Sequence, residues 1–208
     1  MNVIRAFIAI SLSDEVHLGL EKVIQDLKTR LPGGAVRWVQ ADNIHLTIKF
    51  LGDVSLAGLE LLTTMLQAEA ARHPQFEFSV GGIGAFPSPR RPRVVWVGVE
   101  APSELSGLQR GVEAEMARLG YAPDERPFSP HLTIGRVTRN ADSTELRQLS
   151  SVVEASKVGF LGATRVKAVH LFRSDLQPSG AIYTRLNSAA LSSGDAGDAG
   201  NDGNAGNA

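Results

Sequence analysis

Residues 43–52 read Asn-Ile-His-Leu-Thr-Ile-Lys-Phe-Leu-Gly, and residues 128–137 read Phe-Ser-Pro-His-Leu-Thr-Ile-Gly-Arg-Val. Their shared tetrad, His-Leu-Thr-Ile, begins at His45 and again at His131, a separation of 131 − 45 = 86 residues. The β-branched and apolar content of both stretches predicts strands. In a strand, side chains at i and i+2 share one face. Each tetrad therefore presents a His and a Thr together and turns its Leu and Ile the other way. Two of the chain's five histidines thus stand in the same chemical setting.

The surroundings of the tetrads repeat as well. Residues 7–12 (FIAISL) alternate as a strand, and Ser13 is placed to cap a helix. Val16, Leu20, Val23, Ile24, Leu27 and Leu31 follow at helical spacing until Pro32-Gly33-Gly34 stops it. A short strand at 37–39 precedes the first motif strand, and a helix near 55–72 and a strand near 76–80 come after it. In the second copy, residues 94–100 (VVWVGVE) form a strand, Ser103 caps a helix to about Leu119, and the second motif strand follows. Phe7 precedes His45 by 45 − 7 = 38 residues and Val94 precedes His131 by 131 − 94 = 37. This matched spacing points to an internal duplication. The chain closes with a helix near 143–153 and strands near 157–160, 166–173 and 181–186. Helices between strands able to pair antiparallel give an α+β fold of two lobes. A duplicated fold brings its halves into pseudo-symmetric contact, so both motif strands can face one groove.

Composition limits the alternatives. The chain has 208 residues, 43% of them apolar, enough for one domain or two small lobes with real cores. No stretch approaches the roughly 18 apolar residues of a membrane span. Residues 6–12 follow Arg5 and imitate a short signal sequence, but Ser13-Asp14-Glu15 ends the run and no small-residue cleavage site follows. The absence of Cys excludes disulfides, thiolate metal sites and thiol nucleophiles. A cytoplasmic monomer is the expectation. Net charge is 21 − 22 = −1. From Ser188 the chain is mostly Ser, Ala, Gly, Asn and Asp, with three acids (Asp195, Asp198, Asp202) and Leu191 as its one larger apolar residue. That predicts one domain over 1–187 and a disordered low-complexity tail over 188–208. Without the tail the balance is 21 − 19 = +2, which permits a local cationic groove but not a duplex-coating surface.

Two imidazoles, each beside a hydroxyl, suit acid/base chemistry on a phosphate. With a reference pKa near 6.5, one ring can be neutral while the other is protonated at the same pH. The neutral ring takes a proton from water attacking phosphorus; the protonated ring gives one to the departing oxygen. Thr47 and Thr133 are the candidates to hold the non-bridging oxygens. Each proton-transfer partner is worth roughly 10²–10⁴-fold. Catalytic zinc takes about three protein ligands, and neither tetrad supplies them: Asp42 and Asp53 flank the first, with nothing equivalent at the second. The glycines at 81, 82 and 84 complete no dinucleotide fingerprint. No metal or cofactor is therefore expected. Arg136 and Phe50 each lie five residues beyond a tetrad His. Strict alternation sends both to the opposite face, so they reach the groove only where the strand bulges or ends. The loop of Arg90, Arg91 and Arg93 reads as solvated rather than phosphate-binding. His170 reads as structural, Trp38 and Trp96 as core, and His17 and His73 as exposed helix residues.

The tetrads and their flanks resemble the 2H phosphoesterase superfamily, which takes its name from paired His-x-Thr-x motifs. Within it the chain looks like the RNA 2′,3′-cyclic phosphodiesterases, also described as 2′-5′ RNA ligases. The likeness runs from about Arg5 to Leu186 through FIAI, Arg37-Trp38-Val39, NIHLTIKFLG, GAFPSPRRPRVVWVGV, ERPFSPHLTIGR and the late FRSDL with Tyr183. It implies two antiparallel-sheet lobes around a central groove, with helices on the outer faces. It further implies metal-free hydrolysis of RNA 2′,3′-cyclic phosphate ends, tRNA fragments among them, to 2′-phosphomonoesters. By motif position His45 is the proton donor to the leaving 3′ oxygen and His131 the proton acceptor. Thr47 and Thr133 are the phosphate contacts, and Arg136 matches an arginine often found just after the second motif. Ligation of tRNA halves and hydrolysis of other small cyclic phosphates both fit the same scaffold. A non-catalytic module for RNA ends would be marked by a lost His or Thr, and all four are present.

Overall fold

Strand β1 (Val3–Ile10) leads from the chain's start into helix α1 (Asp14–Arg30), and a short β2 (Val36–Trp38) and a 3₁₀ turn (Ala41–Asn43) bring the chain to β3 (Leu46–Ser55). A second 3₁₀ turn (Leu56–Gly58), α2 (Leu59–Ala70), β4 (Phe76–Phe86), β5 (Val94–Glu100) and α3 (Ser103–Arg118) follow. Then come β6 (His131–Val137), α4 (Ser143–Ala155), β7 (Gly162–Val166), β8 (Ala168–Gln177) and β9 (Gly180–Ala190). This is a computed structural model, and it describes residues 3–31, 33–177 and 180–193.

The strands form two antiparallel sheets, ordered β3-β1-β8-β9 and β2-β6-β5-β4-β7. Each motif strand pairs with the first strand of its own half: β3 with β1, and β6 with β5. The late strands cross over. β4, from the first half, completes the second sheet against β5, while β8, from the second half, completes the first sheet against β1. The short β2 crosses too and adds to the free edge of β6. The lobes are pseudo-symmetric, but neither is one half of the sequence.

Helices cover the outer faces because one stripe of each is apolar. Val16, Leu20, Ile24 and Leu27 of α1 and Leu105, Leu108, Val112 and Met116 of α3 are buried at helical spacing. They share one core with Leu46 and Ile48 of β3 and Leu132 and Ile134 of β6. Full burial of such a side chain stabilises by about 1.5–3 kcal/mol. Ser13 caps α1 by accepting from the Val16 N–H at 3.4 Å, as its position predicts.

Three expectations need correction. Ser103 is the first residue inside α3 and its hydroxyl bonds Glu104; the cap position is Pro102. Residues 157–160 are not a strand: Phe160 is 71% exposed, and ladder pairing with β4 starts at Gly162. The alternation of Val158 and Phe160 misleads because the segment meets β4 through isolated backbone hydrogen bonds, Gly82 N–H to the Val158 carbonyl and Leu161 N–H to the Val80 carbonyl, rather than through a ladder. The tail does not begin at Ser188 either. Strand β9 runs to Ala190, Ala189 and Leu191 are buried, and Ser192 exchanges backbone hydrogen bonds with His73 and Gln75. Two apolar residues at i and i+2 anchor this segment, although the composition downstream of them is that of a tail. Residues 194–208 lie outside the described residues.

Candidate active site

Each motif strand carries a β-bulge at the fourth residue of its tetrad. Ile8 pairs with Lys49 and Ala9 with Thr47, leaving Ile48 as the extra residue. Val95 pairs with Gly135 and Trp96 with Thr133, leaving Ile134 extra. A bulge resets the alternation of faces. Beyond Ile48, Lys49 turns into the core at 1% exposure and Phe50 turns out at 63%. Beyond Ile134, Gly135 is buried and Arg136 is exposed. The condition on which Phe50 and Arg136 reach the groove is met at both, and both line it. They are pseudo-symmetry mates of different chemistry.

One cavity of about 760 Å³ is lined by His45, Thr47 and Phe50 from one sheet and by His131, Thr133 and Arg136 from the other. All five residues singled out for catalysis and phosphate contact thus share a single groove. The loop 123–129 forms another wall.

The two histidines are held alike. The Nδ1 of His45 is 3.2 Å from the carbonyl oxygen of Asn43, and that of His131 is 2.7 Å from the carbonyl oxygen of Ser129. A carbonyl only accepts, so Nδ1 carries the hydrogen in each ring and Nε2 is the atom free to exchange a proton. Each ring also lies against a phenylalanine from the strand beyond its neighbour. His45 is 4.5 Å from Phe172, and His131 is 4.8 Å from Phe86, centroid to centroid. Burial lowers the pKa of His45 below its usual 6.5; the Asn43 carbonyl opposes that, and the nearby charges of His17 and Arg185 add to it.

Several supporting residues had no role assigned to them from the sequence. Phe7, Phe172 and Tyr183 make a small aromatic cluster of their own beside His45, with Phe50 6.1 Å from Phe7. His17 is not an exposed helix residue: its Nδ1–H donates to the Ala41 carbonyl at 2.9 Å and so secures the turn before His45. Asn43 also donates from Nδ2 to the Ala181 carbonyl at 3.1 Å, tying that turn to β9. His73 is likewise half-buried, 2.8 Å from Glu69. Trp38 covers Gly135, and Trp96 lies so close over Gly84 that a Cβ there would meet the indole. Among the described residues, no group of three or more His, Cys, Asp or Glu is gathered to hold a metal ion. No described helix is long and apolar enough to cross a membrane.

Paired His-x-Thr strands facing one groove between two antiparallel sheets define a two-histidine phosphoesterase. The model of the LigT like Phosphoesterase family matches the chain twice in tandem, over residues 10–96 and 97–183, which divides it at the duplication. The chain belongs to that family. It is 37% identical over 181 residues to the RNA 2′,3′-cyclic phosphodiesterase of Methanothermobacter thermautotrophicus, covering 87% of this chain and 95% of that one. It is 33% identical over 189 residues to the Escherichia coli protein of the same name, covering 90% and 97%. The crystal structure of E. coli LigT complexed with 3′-AMP superposes with a TM-score of 0.71 at 30% identity, over 91% of this chain and 99% of that one.

Proposed function

We propose that the chain hydrolyses terminal 2′,3′-cyclic phosphates of RNA to 2′-phosphomonoesters, with His131 as proton acceptor and His45 as proton donor. The observation that carries this is the pair of imidazoles whose Nδ1 atoms are each tied to a backbone carbonyl two residues earlier. Both Nε2 atoms are thereby left to one groove. Relatives over most of the chain's length are named for this activity.

In this mechanism His131 Nε2 takes a proton from water as the water oxygen bonds to phosphorus. The P–O3′ bond breaks, and His45 Nε2–H protonates the departing O3′. Thr47 and Thr133 donate to the non-bridging oxygens, and Arg136 offsets their charge. A buried, low-pKa imidazole is a strong proton donor once charged, and the anionic substrate favours its charged form. The aromatic cluster beside His45 offers a stacking surface to the terminal base. RNA 3′ ends, those of tRNA fragments included, are the substrates of this reading, for a monomer acting in the cytoplasm without a metal.

An oligonucleotide ending in a 2′,3′-cyclic phosphate, incubated with the protein and EDTA, tests it. The expected product is the 2′-phosphate, with losses of about a hundredfold or more in His45→Ala and His131→Ala and a milder loss in Thr47→Val. No hydrolysis, dependence on a metal, or a 3′-phosphate product each overturns part of the assignment.

A further inference from the structure

Arg37 of β2 stands directly opposite Arg136 of β6. Directly opposed residues of an antiparallel pair share a face, with Cβ atoms about 4.5–5.5 Å apart. Arg136 lines the groove, so Arg37 belongs to the groove face as well, while its neighbours Val36 and Trp38 pack on the core side. Both arginines are exposed, and among the described residues neither is in an ion pair. Like charges opposed across strands are destabilising, and nothing in the fold requires the arrangement. It is nevertheless built firmly: Gly135 has no side chain, so β2 can close down on it, and a Cβ there would come within 2.6 Å of Val36 Cγ1. Arg126 lines the groove along with Arg136.

The arrangement exists on one side only. The position equivalent to Arg136 in the other lobe is Phe50, and among the described residues β3 is the edge of its sheet, with no added strand to carry a partner for it. The pseudo-symmetric groove therefore has an aromatic end by His45 and a cationic end beyond His131. A free nucleoside cyclic phosphate has one anionic group, which the two His-x-Thr pairs and Arg136 already serve. The exposed Arg37 guanidinium next to Arg136 fits a second phosphate on the same molecule.

We propose that Arg37 binds the phosphodiester that precedes the terminal nucleotide, while Arg136 beside it serves the reacting phosphate, making the site selective for oligonucleotide ends over nucleoside cyclic monophosphates. This rests on the cyclic phosphodiesterase reading above. It also sets the direction of the strand: the RNA chain leaves the groove over the edge formed by β2 and β6, and its last base lies toward Phe50.

The test compares kcat/KM for a short oligonucleotide ending in 2′,3′-cyclic phosphate with kcat/KM for the corresponding nucleoside 2′,3′-cyclic monophosphate. In Arg37→Ala the ratio of the two falls by about tenfold or more, the worth of one charge-assisted phosphate contact. The slope of log kcat/KM against log salt for the oligonucleotide becomes shallower by about 0.7. Arg37→Lys keeps the charge and recovers most of both effects. A ratio unchanged in Arg37→Ala, whether because both substrates lose equally or because neither does, overturns the subsite and leaves the phosphodiesterase reading standing. A wild-type protein that hydrolyses neither substrate overturns the phosphodiesterase reading, and the subsite with it.

Discussion

Lys49 reaches Glu113 through a fully buried side chain, its Nζ 2.5 Å from the carboxylate. The bulge at Ile48 that turns Phe50 into the groove is what turns Lys49 into the core. There Nζ also donates to the Ala122 carbonyl at 2.9 Å, and Glu113 accepts from the Asp124 N–H at 2.9 Å and from Gln109 Nε2 at 3.2 Å. The network joins the first motif strand, α3 and the loop that runs to Ser129, whose carbonyl orients His131. One buried cation therefore links the settings of both histidines.

Breaking a buried pair by removing one partner strands the other charge, which costs about 3–5 kcal/mol. Glu113→Ala leaves the Lys49 ammonium in the core without its counter-charge, so that is the loss expected in its unfolding free energy. Lys49→Met removes the buried charge and keeps most of the volume, and Glu113, which is partly exposed, can then be hydrated. Its loss should be the smaller of the two. Denaturant titration of both variants decides the point, and a larger loss in Lys49→Met would show that packing, not charge, governs the site.

The lowered pKa of His45 predicts the shape of the pH profile. kcat/KM reports ionisations of the free enzyme, so one limb of its bell should break below pH 6.5. Arg185 is one of the cations that disfavour a proton on this ring. Arg185→Gln removes that charge, and the limb should move toward higher pH while the other stays nearly in place. A limb indifferent to Arg185 would mean that it belongs to a different group.

What was legible in the sequence was what repeats at short range. The His and Thr of each tetrad are set on one face by i, i+2 spacing alone, and the α1 and α3 stripes by helical spacing. Sheet membership was not legible, because β4 and β8 find their partners across the duplication and nothing in either strand names its neighbour. The carbonyls of Asn43 and Ser129 left no signal, since every residue has one. The bulges at Ile48 and Ile134 could be posed only as a condition on Phe50 and Arg136. Phe86 and Phe172 meet the histidines from strands far away in sequence. Ala189 and Leu191 did carry a local signal, but the composition of residues 194–208 obscured it.

The first sheet also buries a histidine outside the proposed proton transfers. His170 is 9% exposed, with Nδ1 2.9 Å from the Ser188 hydroxyl. It occupies the position that Gly84 holds in the other sheet, opposite Ala9 where Gly84 is opposite Trp96, so small and large side chains exchange places between the lobes. Burial, with the charges of Arg185 and His45 adding to it, lowers its pKa to about 4. In the unfolded chain the ring titrates near 6.5. Between those values the unfolded chain binds a proton that the folded one refuses, so stability is complete above about pH 6.5 and falls as the pH drops toward 4. His45, also lowered, contributes with the same sign. His170→Asn keeps a partner for Ser188 and removes the ionisation. Its midpoint at pH 7 should be reduced by the lost packing, and its further decline between pH 6.5 and 4.5 should be shallower than that of the unmodified chain. Parallel declines would mean that His170 takes up its proton while folded, and that its burial imposes no penalty on the charge.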